Sequence, residues 1–143
     1  MSEPPLLLHA RAAGREILLR VADLREVVAF TPVAPLPNGP PGIQGVVLHE
    51  GEFLPVLDWT AIEGGPVRPE SPVAMAVLRR RLGLPLEGLT GTLESPEEGW
   101  LDPAESDPWA PILAGQCRTG GQDLALLDPD RLLALLHRLR KAR

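Results

Sequence analysis

The chain of 143 residues is poor in several things, and each shortage excludes something. Cysteine occurs once, as Cys117, so no internal disulfide can form and no cysteine-based zinc cluster can be built. Tyrosine is absent and the aromatics are Phe30, Phe53, Trp59, Trp100 and Trp109, so the core has to be made of Leu, Val, Ile and Ala. Lysine occurs once, no basic tract precedes the last residues, and the formal net charge is -5. That balance argues against nucleic acid as a main partner, because phosphate binding needs a positive face. No run reaches the roughly 20 apolar residues of a bilayer span. The opening MSEPPLLLHARAAGRE has no basic leader, and its apolar stretch is too short for a signal peptide. A cytoplasmic protein without direct membrane insertion is expected.

Reactive signatures are missing as well. There is no P-loop, no G-x-G-x-x-G and no G-x-S-x-G elbow around Ser2, Ser71, Ser95 or Ser106. His9, His49 and His137 lie far apart, with no H-x-x-x-H or H-E-x-x-H pattern, so neither a metal site nor a cofactor is expected. Cys117 sits in a strand pattern and reads as a buried, inert thiol.

What the chain does have is proline and glycine, 17 and 14 of them, which break long helices and favour short strands joined by turns. LLLHAR (6–11) and EILLRV (16–21) flank a turn at Gly14 and read as a hairpin. ADLREVV (22–28) reads as a helical turn running into a strand. TPVAPLPNGPP (31–41) is a rigid connector. Two strands follow at about 43–49 and 52–58, turning at Glu50-Gly51. A loop at 64–72 precedes strands within 73–81 and 82–94. The acidic, proline-broken stretch 95–109 is expected to be mobile, with Trp100 and Trp109 folding back over a barrel end. A last strand pair turns at Gly120-Gly121. A helix over about 129–141 then closes the chain, with Asp128 as N-cap, Pro129 at the first position and a stripe of Leu132, Leu135, Leu136 and Leu139.

A repeat runs through this pattern. GVVLHEGEFLPVLD (45–58) lies over GQCRTGGQDLALLD (115–128) without a gap, matching Gly45 with Gly115, Gly51 with Gly121, Leu54 with Leu124, Leu57 with Leu127 and Asp58 with Asp128. Upstream, residues 17–28 lie over 82–93. Two similar small β units are implied, each too small for a large core of its own and therefore packed on the other. Small β units of this kind close into barrels, which removes their exposed edges.

In order and spacing these pieces resemble the CheW domain, the adaptor of bacterial chemosensory arrays. The resemblance rests on VADLRE (21–26), on Pro37, Pro40 and Gly45, on Gly45, Val46, Gly51, Pro55, Val56 and Asp58, and on LALLDPDRLL (124–133). It covers almost the whole chain and implies an all-β fold: two small SH3-like five-stranded β-barrels packed together and intertwined, with a C-terminal helix, in one CheW-like domain over 1–143. It also implies a protein with no enzymatic activity and no cofactor, coupling the cytoplasmic tip of a chemoreceptor to the regulatory domain of a CheA-type histidine kinase. The partner-binding residues it points to are Val27, Val28, Val46, Leu48, Glu50 and Gly51, with a groove between the barrels for the receptor tip. One position departs from the family. The usual N-L-R-G at the hairpin turn is Leu48-His49-Glu50-Gly51 here, so an arginine linked to partner binding has become a carboxylate.

Two other readings stand beside this one. A scaffold of a pilus-motility or other kinase pathway would keep the fold and change the partner. A small hydrolase would use carboxylates such as Asp58 and Asp128; the repeat argues against it, since it puts both aspartates at equivalent corners. On residue type alone Glu50 reads as a solvated turn residue, and only its place in the family pattern brings a binding role level with that; Asp128 with Asp130 is explained by helix capping.

Overall fold

The computed structural model describes residues 5–62, 71–96 and 100–142. Among these residues ten strands and one α-helix are formed: β1 (Leu6–Ala12), β2 (Arg15–Arg20), β3 (Leu24–Ala29), β4 (Ile43–His49), β5 (Glu52–Leu57), β6 (Ala74–Leu78), β7 (Gly83–Leu86), β8 (Gly88–Glu94), β9 (Leu113–Thr119), β10 (Gln122–Leu127) and α1 (Pro129–Lys141). Three hairpins turn through two residues that both have positive φ: Ala13-Gly14, Glu50-Gly51 and Gly120-Gly121. This is the turn whose twist matches the flanking strands, and the glycine in each takes the second position without strain. Most of the expected loop at 64–72 lies outside the described residues, as do residues 97–99 of the acidic stretch.

The strands make two five-stranded sheets, ordered β8-β1-β2-β10-β9 and β3-β6-β7-β5-β4. Shifting each strand number by five turns one order into the other, so the repeat is a structural twofold. Its details follow the sequence register. The parallel bridge Val56–Gly83 in one sheet matches Leu126–Leu18 in the other. The β4–β5 bulge between Ile43 and Gly45 matches the β9–β10 bulge after Leu113. The isolated bridge Ala34–Val46 matches Leu101–Gln116. Glycine is required at the first of these places, because a Cβ on Gly45 would lie 2.2 Å from the Ala34 carbonyl oxygen.

The repeat is not divided between the barrels as two consecutive units. The first barrel holds β3 to β7, from one stretch of chain; the second holds β1 and β2 before it and β8 to β10 after it. Each copy of the repeat therefore lends a strand to the other barrel: β2 joins β10, and β7 joins β5.

Burial on both faces of the strands creates three cores. Val47, Leu54, Val56, Met75 and Val77 fill the first barrel. Leu7, Leu18, Cys117, Leu124 and Leu126 fill the second. The largest core lies between the barrels and under α1, and includes Ile17, Leu57, Trp59, Leu78, Leu84, Trp109, Ile112, Leu127 and Leu132. Cys117 is buried as expected, and burial pushes its thiol pKa up.

The acidic stretch differs from its expectation. Trp100 does pack against the core of the second barrel. Trp109, however, sits in the shared core, stacked on Trp59 with ring centres 5.2 Å apart and planes 4° off parallel. Residues 100–109 are held rather than free. Leu101 pairs with Gln116, and the Asp107 carboxylate takes both Arg15 guanidinium nitrogens at 2.9 Å, the Trp109 N–H at 2.9 Å and the Gln116 amide at 3.1 Å. Acid and proline content described this segment's composition but not the cation waiting for it on β2.

Candidate docking surface

Period two along β4 and β5 sorts their side chains. Val47, His49, Leu54 and Val56 point inward and are buried. Val46, Leu48, Phe53 and Pro55 point outward, and the register sets Val46 opposite Pro55 and Leu48 opposite Phe53. Leu48 is 70% exposed and Phe53 73%, the two most exposed large apolar side chains among the described residues. They lie side by side on β4–β5, whose outer strand β4 is at the sheet edge, so the barrel presents an apolar hairpin face near its rim.

The hairpin tip is charged and self-paired. Glu50 takes the left-handed conformation at φ 50, and its carboxylate accepts a hydrogen bond from the Arg25 guanidinium of β3. Next to it, His49 Nε2 lies 2.8 Å from Glu26 Oε1 of β3. On the other side Arg81 is 3.1 Å from Glu52. β3 and β4 are the two edges of the first sheet, so the Arg25–Glu50 and Glu26–His49 pairs link one edge to the end of the other. Glu26, His49 and Glu50 each offer one ligand atom, all within 4.8 Å of one another. Spacing rules along the sequence are blind to such a cluster, because it is assembled from a strand and a turn 23 residues away.

The sequence-predicted site is therefore split. Val46, Leu48, Glu50 and Gly51 stand together on the hairpin. Val27 packs against the core between the barrels and Val28 against the core of the first barrel, so β3 reaches the tip through Arg25 and Glu26 instead. Phe53, Arg25 and Glu26 were missed. Phe53 had a signal, since alternation opposite Leu54 and Val56 turns it outward beside Leu48; the two β3 residues had none, because nothing local tells which strand closes the barrel.

Between the barrels, Ala13, Phe30, Trp59, Pro72, Pro85 and Glu87 border a cavity of about 340 Å³. The aspartates of the hydrolase reading do not converge. Asp58 accepts hydrogen bonds from the Thr60 N–H at 3.0 Å and hydroxyl at 2.6 Å; Asp128 accepts from the Asp130 N–H at 2.9 Å and the Arg131 N–H at 3.3 Å. Each caps the helical turn after its own barrel, at positions the repeat equates.

Two twofold-related, SH3-like barrels with an apolar hairpin face define a tandem β-barrel module. The CheW-like domain family model matches residues 6–137, and the chain belongs to that family. It is 26% identical over 98 residues to a probable chemotaxis protein CheW of Rhizobium etli, covering 64% of this chain and 62% of that protein. It is 31% identical over 55 residues to a chemotaxis protein CheW of Rhizobium meliloti, covering 38% of this chain and 36% of that one. The chain thus spans less than two thirds of the length of these relatives. In three dimensions it is similar to the scaffolding protein TtCheW of Thermoanaerobacter tengcongensis, with a TM-score of 0.79 at 18% identity over 90% of this chain and 87% of that one. At that identity the likeness speaks for the fold. Among the described residues no helix is long and apolar enough to cross a membrane.

Proposed function

We propose that the chain is a non-enzymatic adaptor of a chemosensory signalling complex in the cytoplasm, coupling chemoreceptor tips to the regulatory domain of a CheA-type histidine kinase. Its two barrels act as one CheW-like unit, and its working parts are surfaces. The observation that carries the reading is the paired exposure of Leu48 and Phe53 on an edge hairpin of a chain of this family. Two large apolar side chains held in water by a rigid strand pair are stabilised when a partner barrel covers them, at about 25 cal/mol per Å² of apolar surface removed from water. Val46 and Pro55 extend the same face, and Glu50 with Gly51 marks its end.

The test is a titration of the chain against the regulatory domain of the CheA-type kinase from the same organism. Leu48→Glu or Phe53→Glu is expected to weaken binding at least tenfold, about 1.4 kcal/mol, with thermal stability unchanged. Binding indifferent to both substitutions sinks the docking assignment.

A second reading, a scaffold of a pilus-motility or other kinase pathway, is favoured by one feature. Glu50 stands where the family carries an arginine, and Arg25 is paired to it. A partner carboxylate suited to the usual arginine meets a negative charge here. Exchange of partner preference on Glu50→Arg would support this reading.

A further inference from the structure

We propose that Glu26, His49 and Glu50 form a binding site for a first-row divalent cation such as zinc, held at the hairpin tip in competition with Arg25. The ligand atoms of the three residues already lie within 4.8 Å of one another. Zinc holds nitrogen and carboxylate oxygen at about 2.0–2.2 Å, so its ligand atoms end roughly 3.5 Å apart. The His49–Glu26 pair at 2.8 Å must open by somewhat under about 1 Å and Glu50 must move in by about 1 Å, shifts open to two carboxylates whose side chains are 40% and 48% exposed. The imidazole is the fixed member. His49 is only 8% exposed, and its Nε2 is aimed into the cluster at Glu26.

The donor set chooses the metal class. One imidazole nitrogen and two carboxylate oxygens suit zinc, cobalt or nickel, whereas calcium asks for six to eight oxygens. Charge favours uptake: two carboxylates face one guanidinium, and a divalent ion neutralises both. Two features hold the affinity in the micromolar range or weaker. The cation must displace Arg25 from Glu50. Metal at Nε2 also leaves the ring proton on Nδ1, which is buried and has no hydrogen-bond partner among the described residues, so the outer bond that usually orients a ligating histidine is missing.

Uptake would free the Arg25 guanidinium from Glu50 at the tip of the hairpin that carries Leu48 and Phe53, changing the charge that a docked partner meets. That consequence rests on the adaptor reading; metal binding by the isolated chain does not.

The test is calorimetric titration of the full chain with zinc chloride, with no partner present. One ion per chain is expected. Glu26→Gln and Glu50→Gln should each weaken it at least tenfold, the scale on which even outer-shell changes act. Arg25→Gln should tighten it, an opposite sign that a general loss of structure does not produce. In the cobalt-loaded protein the imidazole protons of His49 should be shifted and broadened, and those of His9 and His137 should not. Glu50 is exposed, so Glu50→Gln keeps the test alive even where changes at His49 prevent folding. No uptake up to about 1 mM, uptake insensitive to Glu50→Gln, or weakening by Arg25→Gln overturns the proposal.

Discussion

Asp107 is the residue in which composition and structure part most clearly. It belongs to an acidic, proline-broken stretch, yet its carboxylate accepts four N–H hydrogen bonds, two of them from Arg15. Arg15 in turn lies over the Trp109 ring, 4.8 Å from its centre, so one ion pair fixes both the segment and the tryptophan that enters the shared core. The Arg15 hydrogen bonds, outweighing the opposing effect of burial, hold the Asp107 pKa below the ordinary carboxylate value. A carboxylate whose pKa is depressed in the folded state stabilises fully above its unfolded pKa, and that contribution fades as pH falls through the folded one. Asp107→Asn should therefore cost about 2 kcal/mol at neutral pH. The gap between variant and parent should begin to narrow below about pH 4, where the unfolded carboxyl protonates, and go on narrowing as pH falls through the lower folded-state pKa. Thermal melts of both proteins from pH 7 to pH 3 check this; a gap constant across that range would assign the loss to geometry rather than charge.

At the scale of elements, local chemistry set most boundaries, and these were legible. Glu50-Gly51 and Gly120-Gly121 marked turns because few pairs accept two successive positive φ values. Asp128, Pro129 and Asp130 marked the start of α1, and the helix begins at Pro129 with the Asp128 carboxylate on the N–H groups of Asp130 and Arg131. Asp128→Ala should destabilise by about 1 kcal/mol, a fall of roughly 4 °C in melting temperature. Asp58→Ala should cost less, since Asp58 caps a single 3-10 turn at Trp59–Ala61. Comparison of the two melts tests the repeat energetically, and equal losses would contradict the difference in what each cap starts. The hairpin proposed to dock a partner was legible for the same local reasons, down to Val46 and Leu48. Its charged border was not. Arg25, Glu26 and Arg81 reach the tip only because the barrel brings distant strands together, and no period in the sequence encodes that meeting.

At the scale of the whole molecule, the repeat was visible as matched glycines and aspartates, and the family resemblance implied intertwined barrels, but which strands are exchanged was not legible. Identity at equivalent positions says that two units are alike; it does not say which copy of β2 or β7 completes which sheet. That exchange decides how the molecule unfolds. Trp59 follows β5 of the first barrel and Trp109 precedes β9 of the second, and their stacked rings lie in a core to which both barrels contribute. Barrel interiors of five buried side chains each are small beside it. Neither barrel buries enough by itself to offset the conformational entropy of ordering its chain, about 1–2 kcal/mol per residue. Unfolding should then be a single transition, with tryptophan fluorescence and far-ultraviolet circular dichroism tracing one curve against denaturant. The stretch 24–86 carries every strand of the first barrel without interruption, and produced alone it should stay unfolded because the Ile17, Trp109 and Leu127 side of its core is gone. Trp109→Ala should lower stability by about 3–5 kcal/mol, shifting both signals together. A fragment 24–86 with a cooperative melt of its own, or two separated transitions in the full chain, would show the barrels to be independent, and the shared core would then be a contact between finished units rather than the reason either of them folds.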